Sequence, residues 1–478
     1  MSTETTTAGA AAGGRRKAKA ASVAPWPAAK LAYYTVFLLI LSLTSLQLDT
    51  NIVPYVAGAI KADLKISDTD LGLLLGVSFA LFYTLVGIPI AWLVDRYSRK
   101  WIIAIGIAVW SLGTALCGVA QNYAQLFLAR FVVGAGEAGN GPASYSVLAD
   151  LFPREKMPRA VAFLQLGSVI GPALALAMSA YLLHIFLDMA PVSVPWGVLH
   201  GWQLILILVG LPGVLIALLF IFTMPDPPRR IIEGQVAGAV AAAAPTNLAS
   251  AMASAFTDYG DALAYMGRRW TVFGPMFGGL FISALGAGTL QWMPIFYQRV
   301  FDWHPAKVAG LQSIVSMIGM PLGLIVGVLI AERFAKKGRE DAAIRTQVIG
   351  VAVGLPGLFG VLMPDPWLAF ALGSLTFIGI GLSAPSQNAA LQIVCPAQMR
   401  GKVTSLFLFF YSVVGLGLSP IIVGALNDFL FHSEAMIRWS IFVPRILTGP
   451  LALFVIWLGL KPYGREVARL KALEAAGG

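Results

Sequence analysis

The sequence contains few of the residues that build disulfide frameworks and metal sites. It has two cysteines, Cys117 and Cys395, and four histidines among 478 residues. Because both cysteines lie in or at the end of apolar runs, neither a disulfide framework nor a cysteine metal cluster is supported. The histidines are scattered over predicted loops and helix ends, so no metal and no other cofactor is expected.

Charged residues are also scarce. They make up 12% of the chain, whereas 58% is hydrophobic and the mean hydropathy is +0.78. This composition excludes an ordinary soluble domain and indicates a protein that crosses the lipid bilayer several times. The net charge of +10 reflects topology, because the basic residues concentrate in the tails and in the loops of one side. No nucleic-acid partner is therefore expected.

The chain shows no arrangement of residues that suggests catalysis or a pore. A membrane enzyme would need a nucleophile, a metal cluster or paired carboxylates at one interface, and no His-acid or Cys-His set stands at a useful spacing. A channel would more naturally show a repeated filter or rings of charge. The sequence therefore argues against both an enzyme and a channel.

Twelve apolar segments are each long enough to cross a hydrocarbon core of about 30 Å as a helix. They fall into halves at 31–224 and 269–461 of nearly equal length, as duplication of a six-helix unit would give. We predict an all-α polytopic membrane protein with twelve transmembrane helices in two pseudo-symmetric six-helix bundles. The segments lie at roughly 31–60, 70–94, 101–120, 123–148, 157–185, 201–223, 271–299, 306–331, 343–362, 367–393, 401–427 and 437–460.

The segments outside the two halves are predicted to lie in the cytoplasm. Residues 1–30 are small, polar and basic, which is typical of a disordered tail, and 462–478 form a second tail. Residues 225–268 are a linker that begins with a proline pair. From Asn247 onward its apolar residues recur at helical spacing, which predicts an amphipathic helix on the inner leaflet. A loosely structured linker is the alternative.

The second apolar segment ends in a dense charged string, Ala91–Lys100. It resembles the loop between helices two and three of major facilitator superfamily transporters, Gly-x-x-x-Asp-Arg-x-Gly-Arg-Lys, with Ala91 and Ser98 in place of the glycines. An acid-Arg pair recurs at the end of the eighth segment. The resemblance implies a cytoplasmic gate that latches the inner ends of the halves, whereas an ordinary positive-inside loop is the alternative. The gate residues would be Asp95, Arg96, Arg99, Lys100, Glu332 and Arg333.

Further motifs are similar to the Spinster family within this superfamily. The run Arg130-x-x-x-Gly134-x-Gly136-Glu137-Ala138 resembles its fourth helix, and Asp-Pro-Pro-Arg at 226–229 is similar to the segment after its sixth. An acid at position 49 falls where Spinster-like proteins and related anion:cation symporters carry an Asp-Arg pair, although Thr50 replaces the arginine here. The resemblance to a bacterial Spinster-like protein implies lysolipid or sphingolipid-like substrates.

Three ionisable residues inside predicted spans are the main site candidates, because charges in hydrocarbon are costly. They are Asp49 in the first span and Arg130 and Glu137 in the fourth. Arg130 and Glu137 are seven residues apart, so they lie on nearly one helix face, about 10 Å apart along the axis. Counting from the membrane faces puts Asp49 and Arg130 at similar depth. We therefore expect these two to pair, which leaves Glu137 as the candidate proton carrier. The alternative is a buried network that only fixes helix packing.

Other polar residues are candidates for a central cavity, which the fold would line with helices one, four, seven and ten. Each could equally make an interhelical hydrogen bond. Arg445 in the last span is a weaker candidate, because snorkelling toward the outer face is expected of it. The cavity candidates are Asn51, Asn140, Gln291, Tyr297, Gln387, Asn388 and Arg445.

The fifth span contains Gly167-x-x-x-Gly171-Pro172, which resembles an antiporter-type motif of the superfamily. Small residues four apart let helices approach closely, and a proline bends a helix. The motif is therefore either a hinge or a site of tight packing.

These observations predict a secondary active transporter that moves an amphiphilic or lipid-like solute by alternating access. The proton gradient would be its energy source, and the protein would act as a monomer in the bacterial inner membrane with both termini in the cytoplasm. The alternatives are a proton-coupled symporter of small organic anions, a multidrug exporter, and a transporter-like membrane receptor.

Overall fold

The computed structural model describes residues 26–153, 155–195, 197–227, 259–396 and 399–477. Within this part of the chain, eleven helical stretches are long and apolar enough to cross a membrane. The predicted fourth span is missing from that set because the chain breaks at Ala138 and Gly139 into two shorter helices. Apart from one short two-stranded hairpin, the described chain is helical, as predicted for this membrane protein.

We number the predicted spans 1 to 12. The first half begins with a helix of 36 residues and ends at Thr223. Its helices are Ala29–Leu64 in span 1, Asp68–Leu75 and Val77–Arg96 in span 2, Arg99–Val119 in span 3, Tyr123–Glu137 and Asn140–Leu151 in span 4, Met157–Phe186 in span 5, and Gly201–Thr223 in span 6.

The second half contains more changes of helix type. Its elements are Trp270–Gly288, Thr289–Trp292 and Met293–Phe301 in span 7, Pro305–Lys336 in span 8, Ala342–Gly354 and Leu355–Leu362 in span 9, Pro366–Val394 in span 10, Arg400–Tyr411, Ser412–Leu418, Ser419–Ala425 and Leu426–Phe431 in span 11, and Ile437–Leu458 in span 12.

Several spans leave ideal α geometry. Thr289–Trp292 and Leu355–Leu362 are 3₁₀ helices, whereas Ser412–Leu418 and Leu426–Phe431 are π helices. Such irregular turns keep backbone groups hydrogen-bonded inside a membrane while they change the direction of the side chains. The 3₁₀ and π turns therefore change the direction of the side chains locally in spans 7, 9 and 11.

The connections contain structure that the sequence did not predict. Val192–Val194 and Gly197–Leu199 pair as an antiparallel hairpin between spans 5 and 6. Leu460–Gly477, predicted as a tail, is a helix. It packs on the second half through the fully buried ring of Tyr463. The predicted linker helix lies largely outside the described residues, although 259–268 is helical.

Glycines let particular spans approach closely. A Cβ on Gly210 of span 6 would lie 2.4 Å from the carbonyl oxygen of Ser111 in span 3. A Cβ on Gly76 of span 2 would lie 2.2 Å from the carbonyl oxygen of Gly417 in span 11. Small residues at such crossings let two helix backbones approach closely, and the resulting van der Waals contact stabilises the helix pair. The first contact holds the first half together, and the second joins the two halves.

Contacts between the halves cluster on one side of the molecule. We call the side where span 1 begins and span 12 ends the tail side, and the opposite side the far side. Spans 2 and 11 meet toward the far side, and the hydroxyl of Ser313 in span 8 donates to the carbonyl oxygen of Ala173 in span 5 at 2.8 Å. The far-side ends of the two halves are therefore packed together.

Candidate functional site

A cavity of about 310 Å³ lies between the two halves, and we call it the central cavity. Spans 1, 2, 4, 5, 7, 8, 10 and 11 contribute to its wall. Among the described residues that line it, Arg130 is the only charged one, and most of the others are apolar. Its polar wall residues include Gln47, Asn51, Gln291 and Gln312. The cavity thus offers one positive charge within largely apolar walls.

The three predicted charges come together beside this cavity. Asp49, Arg130 and Glu137 are all buried, and each carboxylate lies within electrostatic range of the Arg130 guanidinium. None of the four carboxylate oxygens has a hydrogen-bond partner, and neither do Nε and Nη1 of Arg130. Two acids therefore share one cation, with no direct hydrogen bond to it.

The expected ion pair between Asp49 and Arg130 is wrong in this structure. The Arg130 guanidinium lies over the ring of Phe79, with Cζ 5.6 Å from the ring centroid, and borders the central cavity. The Asp49 carboxylate instead lies near Thr114 and Trp110 of span 3. Similar depth does not fix rotation about the helix axis, so it did not ensure a direct hydrogen bond between the two side chains.

The other predicted cavity residues separate into different environments. Asn51 and Gln291 line the central cavity. Asn140 is buried, and its Oδ1 accepts a hydrogen bond from the Ser42 hydroxyl at 3.0 Å, so it links spans 4 and 1. Tyr297 is also buried and stacks on Trp303, with ring centroids 5.3 Å apart.

A second cavity of about 290 Å³ lies among spans 7, 9, 10, 11 and 12, and we call it the C-terminal cavity. Gln387, Asn388 and Arg445 line it. The expectation that Arg445 snorkels to the outer face is wrong, because its side chain is only 2% exposed. Its guanidinium faces spans 9 and 10 and donates to Thr376 Oγ1 at 3.2 Å, so the protein interior solvates it instead of the membrane surface.

The predicted gate residues near the end of span 2 bind within their own half. Arg99 is buried and forms an ion pair with Asp150 at the end of span 4. Its Nη2 also donates to the carbonyl oxygen of Pro227 at 2.8 Å. Arg96 lies over the ring of Trp92, with Cζ 4.6 Å from the centroid. Arg99 therefore ties the start of span 3 to the ends of spans 4 and 6.

For the remaining gate residues, a latch between the halves stays a prediction. The side chain of Asp95 lies outside the described residues. Lys100 is partly buried, and Arg333 is exposed. Glu332 pairs with Lys336 one turn along the same helix at 3.9 Å, and both side chains are exposed.

The glycine-proline motif of span 5 packs against span 1. A Cβ on Gly167 would lie 3.4 Å from Ile40, and one on Gly171 would lie 3.4 Å from Gln47. Pro172 lines the central cavity inside an uninterrupted helix. The motif therefore packs span 1 against span 5 in this structure, and a hinge role stays a prediction.

A buried network on the far side was missed in the sequence. Asp68, at the start of span 2, accepts two hydrogen bonds of 2.7 Å from Arg299 of span 7. Lys61 donates to it at 2.6 Å, and Asn427 of span 11 donates at 2.5 Å. Each of these residues looked like a loop or helix-end group, and only the three-dimensional fold brings them together.

A second acid strengthens the same junction. The carboxylate of Asp428 in span 11 accepts hydrogen bonds from the backbone nitrogen and the hydroxyl of Thr69, both at 2.6 Å. It thereby caps the first turn of span 2, where an acid also interacts favourably with the helix dipole. The far-side junction is thus built from charge-assisted bonds that join the two halves.

A known protein family matches most of the chain. The family model of the Major Facilitator Superfamily matches residues 37–420. A probable galactarate/D-glucarate transporter of Bacillus subtilis is 23% identical over 89% of this chain and 93% of its own length. Protein spinster homolog 1 of Xenopus laevis is 27% identical over 77% of this chain and 68% of its own.

Solved structures share the fold. The crystal structure of a bacterial homolog of the human lysosomal transporter Spinster, in an inward-facing and unoccupied conformation, superposes with a TM-score of 0.75. It is 22% identical, and the match covers 92% of this chain and 98% of that one. The xylose transporter of Escherichia coli matches with a TM-score of 0.60 at 17% identity, over 89% and 95% of the two chains.

Proposed function

Because the chain belongs to the Major Facilitator Superfamily, we propose that it carries an amphiphilic solute with an acidic head group by proton-coupled alternating access. Members of this superfamily are secondary transporters and not enzymes. The nature of the solute, the coupling ion and the site residues are our proposal. The observation that carries it is the placement of Arg130 as the one charged residue among the described lining of an otherwise mostly apolar central cavity.

The solute class follows from the chemistry of this wall. A guanidinium group binds carboxylate and phosphate through parallel charge-assisted hydrogen bonds. Leu176, Leu290 and Phe377 give the same cavity apolar surface for a hydrocarbon chain. A lysolipid or a similar molecule combines both features, and it is the substrate class that the Spinster-like motifs of the sequence imply.

Proton coupling follows from the two buried acids near Arg130, Asp49 and Glu137. Asp49 and Glu137 compete with a bound anion for the same guanidinium, because all three interact with it in a buried site. Protonation of an acid weakens its hold on Arg130 and leaves that cation free for the solute. Binding of solute and binding of a proton therefore favour each other, which is the thermodynamic condition for symport.

A second candidate is a small hydroxylated organic acid. Asn51, Gln291 and Gln312 in the wall are neutral hydrogen-bonding groups that suit hydroxyl groups. The similarity to a probable galactarate/D-glucarate transporter supports this candidate. Its acidic group would use Arg130 in the same way.

We also propose an orientation in the membrane and a monomeric assembly. The positive-inside rule places the tail side in the cytoplasm, and the bacterial relatives favour the inner membrane. Each half contributes its own wall to the central cavity, so a monomer has a complete pathway. Alternating access would break the far-side junction and close the tail side.

Uptake into proteoliposomes tests the solute class. Lysophosphatidic acid, galactarate and a neutral hydrophobic dye are offered to wild type, Arg130→Gln and the control Arg465→Gln, which changes an exposed arginine of the final helix. We expect lysophosphatidic acid uptake that Arg130→Gln reduces at least tenfold and Arg465→Gln leaves unchanged.

The other outcomes are equally informative. Uptake of galactarate alone would overturn the lipid assignment and select the second candidate. Uptake of the dye alone, insensitive to Arg130→Gln, would contradict an acidic solute and indicate an exporter of hydrophobic drugs. Saturable binding without any flux would indicate a receptor.

A further inference from the structure

The guanidinium group of Arg445 lies in span 12 without a bound carboxylate. Nη2 donates to the neutral hydroxyl of Thr376, and Nη1 has no hydrogen-bond partner. The side chain is nevertheless among the largest of the fully buried ones in the described chain. A buried cation costs several kcal/mol unless a counter-charge and hydrogen bonds compensate it. Thr376 alone supplies little of this compensation.

The space beside Arg445 has the size and composition of a ligand site. The C-terminal cavity of about 290 Å³ is close to the lower end of the range typical for small-molecule pockets. None of the described residues that line it is acidic. Its neutral hydrogen-bonding side chains include Gln347, Thr376, Ser383, Gln387, Tyr411 and Thr448.

The C-terminal cavity extends along span 10. Thr376 and Asn388 both line it and are twelve residues apart, which corresponds to about 18 Å along a helix axis. Arg445 lies at the Thr376 end, and apolar side chains such as Leu280 and Phe407 border the space. An elongated molecule with an acidic group at one end fits this arrangement.

We propose that the C-terminal cavity is a second ligand site, in which Arg445 binds the carboxylate or phosphate group of an organic anion. The anion supplies the counter-charge that the protein does not. The neutral polar side chains then donate to or accept from the remainder of the ligand. Arg445 is the recognition group of this site, just as Arg130 is in the central cavity.

The two cavities are neighbours. Ile380 lines both of them. A narrow space shares Gln312 and Phe377 with the central cavity and Arg445 with the C-terminal cavity. The same class of anion can therefore be held in turn by a cation of the first half and a cation of the second. The ligand class rests on the proposed function, whereas the presence of an anion site at Arg445 does not.

Protection of an engineered thiol tests the site directly. In a chain carrying Cys117→Ala and Cys395→Ala, Ser383→Cys places a single cysteine on the cavity wall. The rate of its modification by a small neutral methanethiosulfonate is measured in nanodiscs with lysophosphatidic acid, galactarate or inorganic phosphate. We expect saturable protection whose half-maximal concentration rises about tenfold or more in Arg445→Gln. Arg445→Lys should lose less, because it keeps the charge.

Two further variants control for folding. Arg438→Gln changes another arginine of span 12 that does not line the cavity, and it should leave protection unchanged. Gly354→Leu should fill the cavity and abolish protection while Arg445 remains. The space at Gly354 is open enough for this change, since a Cβ there would meet its nearest neighbour, Thr376, at 3.8 Å. This variant keeps the test valid if Arg445→Gln does not fold.

The outcomes separate this site from the proposed transport. Equal protection in wild type and Arg445→Gln, or no protection by any of the three anions, overturns the proposal. Protection that depends on Arg445 without solute uptake supports the site and contradicts transport of that solute. Protection by inorganic phosphate identifies a free-anion site, whereas protection only by lysophosphatidic acid identifies a site for a lipid head group. Both of these support Arg445 as the anion receptor.

Discussion

Asp68 of span 2 and Arg299 of span 7 form a two-pronged ion pair across the two halves, with both nitrogen–oxygen distances at 2.7 Å. The carboxylate of Asp68 is fully buried, and the Arg299 side chain is 14% exposed. Because each residue belongs to a different half, the pair can exist only while the far-side ends are together. It therefore stabilises the far-side-closed state relative to any state in which these ends separate.

Arg299→Gln should shift the protein toward a far-side-open state. The variant removes both bonds to a buried carboxylate, but Lys61 and Asn427 continue to bind it. We therefore expect a shift on the order of 2 kcal/mol, below the 3–5 kcal/mol typical when a buried ion pair loses a partner. Spin labels at Gln121→Cys and Ser433→Cys, in a background without Cys117 and Cys395, measure the distance between the far-side ends of the two halves by double electron-electron resonance.

Arg345→Gln is the matched control, because it breaks the pair of Arg345 with Asp341 on the tail side at 2.5 Å. It should leave the distance between the far-side labels unchanged. A distance distribution in Arg299→Gln identical to that of wild type would show that the ion pair does not hold the far side closed.

Gly76→Ala should wedge spans 2 and 11 apart, since the new Cβ would lie 2.2 Å from a backbone oxygen of Gly417. Overpacking of this kind costs about 1–3 kcal/mol. Gly87→Ala in the same span meets nothing within 4 Å and should be neutral or slightly stabilising, because alanine is the better helix former. Thermal unfolding of the purified variants measures both effects, and equal melting temperatures would refute the close contact.

Arg99→Gln should destabilise the first half. It removes a buried ion pair with Asp150 and a hydrogen bond to the Pro227 carbonyl oxygen, so we expect a loss of about 2–4 kcal/mol. Lysine at this position should not restore stability, because it lacks the planar fork that reaches two acceptors. Stability is measured as the half-life of the folded protein in detergent at elevated temperature. The neighbouring variant Lys100→Gln is the control and should change this half-life little. A similar half-life for the Arg99 and Lys100 variants would mean that Arg99 does not tie the spans together.

Much of the fold was predictable from the sequence because hydrocarbon imposes a simple rule on helix length. Predicted and observed bounds are identical for span 6, at 201–223. The break of span 4 at Ala138 and Gly139 was not predicted, because a membrane helix tolerates glycine and the sequence does not show where a bend is needed. The irregular turns of spans 7, 9 and 11 depend on neighbouring helices for the same reason.

The sequence indicated which ionisable residues would be buried in the spans, but not how they are arranged. The cost of burying a charge singled out Asp49, Arg130 and Glu137, and all three are buried in the structure. Spacing could not show that Arg130 turns to the cavity while Asp49 turns to span 3. Arg445 was misjudged because its helix face could not be read from sequence, and the Asp68 network joins residues too distant in the chain for any local pattern.

The central claim is that an acidic solute and a proton bind together beside Arg130. The most direct measurement is the change in internal pH of proteoliposomes when lysophosphatidic acid or galactarate is added, for wild type, Glu137→Gln and the exposed control Glu155→Gln. The account predicts solute-driven proton movement in wild type and Glu155→Gln, and at least a tenfold smaller flux in Glu137→Gln. Solute-driven proton movement that is the same in Glu137→Gln as in wild type would contradict it.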